Sequence, residues 1–142
     1  MPGVGRVEFP ITTATSAEAQ AFFNQGVAQL HGFWYFEAER SFRQVAALEP
    51  QCAMAYWGLT MANINNNKRA KEFIKKAIAL KASSTPREQL WIDALASLYS
   101  DELKDAKARQ KAHLDQLTAI SERFPNDLEA KAFLALKIWM DG

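Results

Sequence analysis

Across Ala21–Gly58 apolar residues return every third or fourth position, the spacing of one helix face. They come first as Phe22, Phe23, Gly26, Val27 and Leu30. After the aromatic turn Phe33-Trp34-Tyr35-Phe36 they resume as Ala38, Phe42, Val45, Ala46 and Leu48. Pro50 stops the second run, and a third helix opens at about Ala53. The pattern predicts helices over 16–31, 35–48 and 51–63. Small residues, Gly26 and Ala38, sit where the first two helices must touch, and Phe42 and Tyr35 fill the space around them.

The unit recurs. Gly26, Ala38, Phe42 and Val45 are matched 32 residues later by Gly58, Ala70, Ile74 and Ala77. This frame resembles the tetratricopeptide repeat, a unit of roughly 34 residues with a Gly, an A-x3-F step and a closing Pro. Pro50 stands where that family closes its unit, whereas Ala82 replaces the second Pro, and Phe22 and Met54 stand for the family's Trp. The resemblance is carried by residues 19–82. The wording CAMAYWG, TPREQLWIDAL and RFPNDLEAKAFLAL also resembles uncharacterised bacterial tetratricopeptide proteins. The implied fold is all-α, a right-handed superhelix of stacked antiparallel hairpins with about seven helices.

The rest of the chain fits that plan. Residues 1–14 alternate apolar and polar with Gly and Pro, an extended lead-in expected to lie across the first hairpin. Thr15 and Glu18 form a capping box for the first helix. Asn63, Asn65, Asn66 and Asn67 make a turn before a fourth helix at 67–81. Thr85-Pro86-Arg87-Glu88 starts the fifth, which carries Leu90, Trp91, Ala94, Leu95 and Leu98. Asp101 to Asp105 is a turn, and the sixth helix runs from 105 to 123. Asn126 and Glu129 repeat the capping logic for a seventh at 127–140. The hairpins are therefore 16–48, 51–81 and 86–123, within one repeat domain over 15–142, and the last helix lacks a partner. That helix is apolar on more than one face, so the chain is expected to be the N-terminal piece of a longer array, or to pair its surplus apolar residues with another copy.

At 142 residues, with 49% hydrophobic residues, the chain can bury a continuous core. A net charge of +1 gives no global field toward nucleic acid or anionic membrane, and neither is an expected partner. The single Cys52 excludes an intramolecular disulfide. No apolar run approaches the roughly 20 residues that span a bilayer. Met1 followed by Pro2 and Gly3 leaves room for a removed leader, so the compartment stays open between the cytoplasm and, if a leader was removed, the periplasm.

No enzyme signature emerges, and no cofactor or metal is expected. His31 and His113 have no Asp, Glu, His or Cys at metal-ligand spacing, and read as packing residues. Cys52 has no legible base beside it. Lys68, Arg69, Lys71, Lys75, Lys76 and Lys81 on the fourth helix fall opposite the stripe Ala70, Phe73, Ile74, Ala77, Ile78 and Leu80, which makes them a solvated outer face. In the aromatic turn, Tyr35 and Phe36 are expected to pack inside the hairpin, with Phe33 or Trp34 covering the lead-in segment around Phe9 and Ile11. The sharper alternative leaves Trp34 exposed as a partner anchor.

The resemblance implies a concave groove lined by the first, third and fifth helices. Projected onto this chain it offers Gln20, Phe23, Asn24, Val27, Leu30 and His31, then Ala55, Leu59, Ala62, Asn63 and Asn66. Asn24 matches a position at which some family members grip a peptide C-terminus, but the accompanying Lys and Arg positions are not filled, which speaks against a carboxylate clamp. The expected role is a non-enzymatic module that binds a protein or peptide segment in an apolar, amide-lined groove. The alternative is a structural array segment that self-associates, or docks a downstream domain, through its last helix.

Overall fold

The computed structural model describes residues 17–141, with side chains through Ile138. The predicted lead-in and its Thr15 cap lie outside the described residues. Seven α-helices follow one another: α1 Ala17–His31, α2 Tyr35–Leu48, α3 Ala53–Ala62, α4 Asn67–Leu80, α5 Pro86–Ala96, α6 Ala106–Arg123 and α7 Leu128–Asp141. Short 3-10 turns, Lys81–Ser83 and Ser97–Tyr99, extend α4 and α5. Among the described residues there is no strand. Each helix packs on the next, and α1 also meets α3 and α3 meets α5, the arrangement of stacked hairpins. The third helix opens at Ala53 rather than at 51, because Cys52 is its extended N-cap.

Local chemistry sets the boundaries. Thr85 Oγ1 accepts from Glu88 N while the Glu88 carboxylate accepts from Thr85 N, a reciprocal box beneath Pro86. Asn66 caps α4 through Arg69 N, and Asp105 caps α6 through Lys107 N. At α7 the cap is Asp127, not Asn126. Its Oδ1 accepts from the N–H groups of Glu129 and Ala130 at 3.1 and 3.2 Å.

The first helix ends unusually. Trp34 N donates to Gln29 O and Phe33 N to Leu30 O, the paired bonds of a Schellman stop. The left-handed position of that motif is normally glycine, yet here it falls on Phe33, at φ 61°, one residue past Gly32. A bulky side chain in that region costs on the order of 1–2 kcal/mol.

The core is built around Phe42. Its ring on α2 lies between Gly26 of α1 and Gly58 of α3, the two glycines aligned by the repeat. A Cβ at Gly26 would stand 2.7 Å from Phe42 Cζ, and one at Gly58 2.5 Å from Cε1. Only glycine lets both backbones approach the ring. Glu39 ties the first two hairpins together by accepting from Asn63 of the α3 C-cap and from Arg69 of α4. Burial alone would raise its carboxyl pKa, but hydrogen bonds from Asn63, Arg43 and Arg69 outweigh it and hold the group low. On α4, Ala70, Ile74 and Ala77 are buried as the periodicity implied, whereas Ile78 faces solvent, because the stripe drifts off the contact at the helix end.

Candidate functional site

The concave face is closed. Of the predicted groove residues, Phe23, Val27, Leu30, Ala55, Leu59, Ala62 and Asn63 are buried, so they are core rather than lining. Asn63 is spent on Leu59 O and Glu39. Gln20 and Asn24 stay half-exposed and bond to each other at 3.0 Å, while Asn66 is exposed as the α4 cap.

What fills the groove is the chain's own last helix. Phe133 of α7 lies 5.7 Å from the Trp57 ring, 5.5 Å from Trp91 and 4.5 Å from His31. One ring from each of α1, α3 and α5 therefore converges on it. Two polar contacts fix the helix there. His31 Nε2–H donates to Glu129 Oε2 at 2.8 Å, and the Arg87 guanidinium meets Asp127 Oδ2 at 2.5 Å. One Asp127 oxygen thus caps α7 while the other holds α5. The surplus apolar residues of α7 are partly explained, since Ala130 and Phe133 are buried and Leu134 packs on the core, leaving Leu128 and Ile138 exposed.

Exposed aromatic residues gather at the first hairpin's turn. Phe36 is 86% exposed, which corrects the expectation that it packs inside the hairpin, and Phe33 and Trp34 are 46% and 45% exposed. Only Tyr35 of the turn packs against the core, and its burial raises the phenol pKa. The reason is helical phase: Phe36 is the second residue of α2 and stands off the buried stripe Ala38, Ser41, Phe42 and Val45. From this turn a shallow depression runs between α1 and α2, lined by Phe22, Gln25, Gln29, Glu37, Arg40, Ser41 and Gln44, with room for water centres over about 280 Å³. Its floor is an ordered relay: Gln25 Nε2 donates to Ser41 Oγ at 3.1 Å, and Ser41 donates to Gln29 Oε1 at 2.7 Å. Gln25 and Gln44 are exposed on its rim, and Glu37 and Arg40 supply one charge of each sign. The periodicity singled out none of these amides, because polar residues between two apolar stripes read as ordinary surface.

Among the described residues no group of three or more His, Cys, Asp or Glu could hold a metal, and no helix is long and apolar enough to cross a membrane. Cys52 is buried.

The molecule is thus an all-helical array of stacked hairpins whose concave side is occupied from within and whose first hairpin presents an aromatic turn. No family model, curated protein or solved structure matches this chain.

Proposed function

We propose that this chain is a non-enzymatic protein-interaction module of the tetratricopeptide kind that receives a peptide segment on the outer face of its first hairpin. The observation that carries this reading is the exposure of Trp34 and Phe36 beside a backbone turn held in a left-handed conformation at Phe33. Strain maintained at an exposed aromatic cluster is a feature that fold stability alone does not call for. Trp is among the residues that dominate binding energy when a partner covers them. The depression beside the turn suits an extended backbone, since the Gln25 and Gln44 amides both donate and accept. Glu37 and Arg40 balance each other, so the favoured segment is near-neutral with large apolar side chains.

The test is selection from a displayed random-peptide library, followed by titration of the best peptide into wild type, Trp34→Ala and Phe36→Ala. At least one variant should lose about 2 kcal/mol or more, roughly 30-fold in affinity. Unchanged affinity in both, or amide shift changes that map away from α1 and α2, rejects the site.

Leu128 and Ile138 keep a second reading in play, self-association through α7. A sedimentation coefficient that does not change with concentration removes it.

A further inference from the structure

The basic side of α4 is walled. The end of α5, the 3-10 turn Ser97–Tyr99 and the start of α6 stand across from it, and two adjoining depressions open between them. Lys71, Tyr99, Ser100 and Asp101 line both, so the two form one trough. On α4 it runs from Asn67 to Ile78, about three helical turns or 16 Å. The two halves have room for water centres over about 330 and 400 Å³. One water needs on the order of 10–15 Å³, so the trough takes a stretch of chain rather than an ion.

Its ends differ. Near Asn67 the lining is polar, with Lys104, Arg109 and Gln110. Near Ile78 it is partly apolar, formed by Ile74, Ile78 and Ala96, with Lys75 beside them. Ile78 is 45% exposed, an apolar side chain that α4 does not use for its own packing. The cations Lys71, Lys75, Lys104 and Arg109 line the trough against two carboxylates, Asp93 and Asp101. Asp93 is already held by Lys81 at 2.6 Å. Asp101 meets Lys71 only at 3.7 Å, with its side chain 93% exposed, and such a surface pair contributes little. Arg109 Nη1 is anchored on Leu103 O, and a guanidinium has further N–H donors for a carboxylate. Burial pushes the Tyr99 phenol up to about 12, so at neutral pH it adds no negative charge.

We infer that this trough receives an extended acidic segment of a partner protein, its carboxylates toward Lys71, Lys104 and Arg109 and its apolar side chains on Ile74 and Ile78. About five residues of extended chain cover the length of the trough. Ile74 and Ile78 are one turn apart, about 6 Å, close to the spacing of alternate side chains on a strand. A nucleic-acid strand fits less well. Asp93 and Asp101 stand along its path, and two isoleucines occupy the place of the aromatic faces on which bases stack. The trough involves α4, α5 and α6 rather than α1 or α2, so its test is independent of the library selection.

The probes are the fluorescent peptides Leu-Glu-Leu-Glu-Glu-Glu and Glu-Glu-Glu-Leu-Glu-Leu, one for each chain direction, followed by anisotropy with the full chain at low salt. At least one should bind saturably and move the backbone amide NMR shifts of Lys71, Ile78 and Tyr99. Replacing every Glu by Gln should weaken binding about tenfold or more, and replacing both Leu by Ser about threefold or more. The double variant Lys71→Glu, Lys104→Glu should lose about tenfold in affinity and Ile78→Ser about threefold, while thermal melts show both folded. Binding that fails to saturate with either peptide, that survives the Gln replacement, or that is unchanged in both folded variants overturns the inference. So does a fluorescent oligothymidylate of equal charge that binds as tightly as the peptide.

Discussion

Phe42 and Gly58 are in contact because the glycine has no side chain: a Cβ there would stand 2.5 Å from the Phe42 ring carbons Cγ and Cε1. The ring is fully buried and lies edge-on to Phe23 at 5.3 Å, so it cannot swing clear. Gly58→Ala should therefore destabilise the fold by about 1–3 kcal/mol despite the better helix propensity of alanine. Phe42→Leu placed on the same chain should recover part of that loss. Chemical denaturation of the single and double variants measures both. Strict additivity of the two single losses would show that the ring and the glycine are not coupled.

Phe33→Gly should act in the opposite direction. Glycine accepts the left-handed position without the steric cost that Phe33 bears at φ 61°. The expected gain is about 1 kcal/mol, or a rise in Tm of about 3 °C. The same variant should weaken peptide capture, because an aromatic residue has gone. A lower Tm would mean that the ring's T-shaped contact with Tyr35, at 6.3 Å, outweighs the backbone strain.

Asp127→Ala removes the α7 cap and leaves the part-buried Arg87 without its carboxylate. Loss of the cap costs roughly 0.5–2 kcal/mol, and loss of the ion pair with Arg87 adds to it. Urea melts should show a loss of about 2 kcal/mol. Asp127→Asn should cost less, because its amide oxygen can still cap. If Ala and Asn behave alike, the ion pair with Arg87 is the dominant contribution.

His113 gives acid sensitivity with a definite sign. Its folded pKa of about 3 lies below the ordinary value of 6.5. Between those values the unfolded chain binds the extra proton, so the imidazole has no effect on stability above about pH 6.5 and lowers it as pH falls toward 3. The slope approaches about 1.4 kcal/mol per pH unit. Glu39, whose pKa is lowered, also loses its contribution on acidification, but only in the carboxylate range. Comparing wild type with His113→Leu at about pH 7 and about pH 5 isolates the imidazole. Parallel losses in the two proteins would disprove a buried neutral ring.

The start of α5 was legible in the sequence, because Thr85, Pro86 and Glu88 act within one turn and need no tertiary context, whereas the starts of α3 and α7 fell one or two residues away from the expected ones. The glycine notch was equally visible, since Gly26 and Gly58 recur at the same phase as their large neighbours. The groove was not. Phe23, Val27 and Leu59 have the same periodicity whether they face a trough or another helix, and only α7 folding back decides between them. The surplus apolar residues on α7 hinted at something to cover, without saying that the covering surface was its own chain. The left-handed stop was not legible either, because hydrogen-bond registration rather than residue type places that conformation on Phe33, one residue past Gly32. Phe36 was misjudged for a simpler reason: it lies off the stripe by which α2 is buried.

The bond from His31 to Glu129 spans 98 positions. In a linear stack each unit answers only to its neighbours, and the ends fray first. Here the final rod is wedged against the opening one, like a keystone, so loosening either terminus disturbs the middle as well. The fold should melt as a single cooperative event, and its assembly should be slow for a helical chain, since that closure must wait until nearly every residue between has found its place.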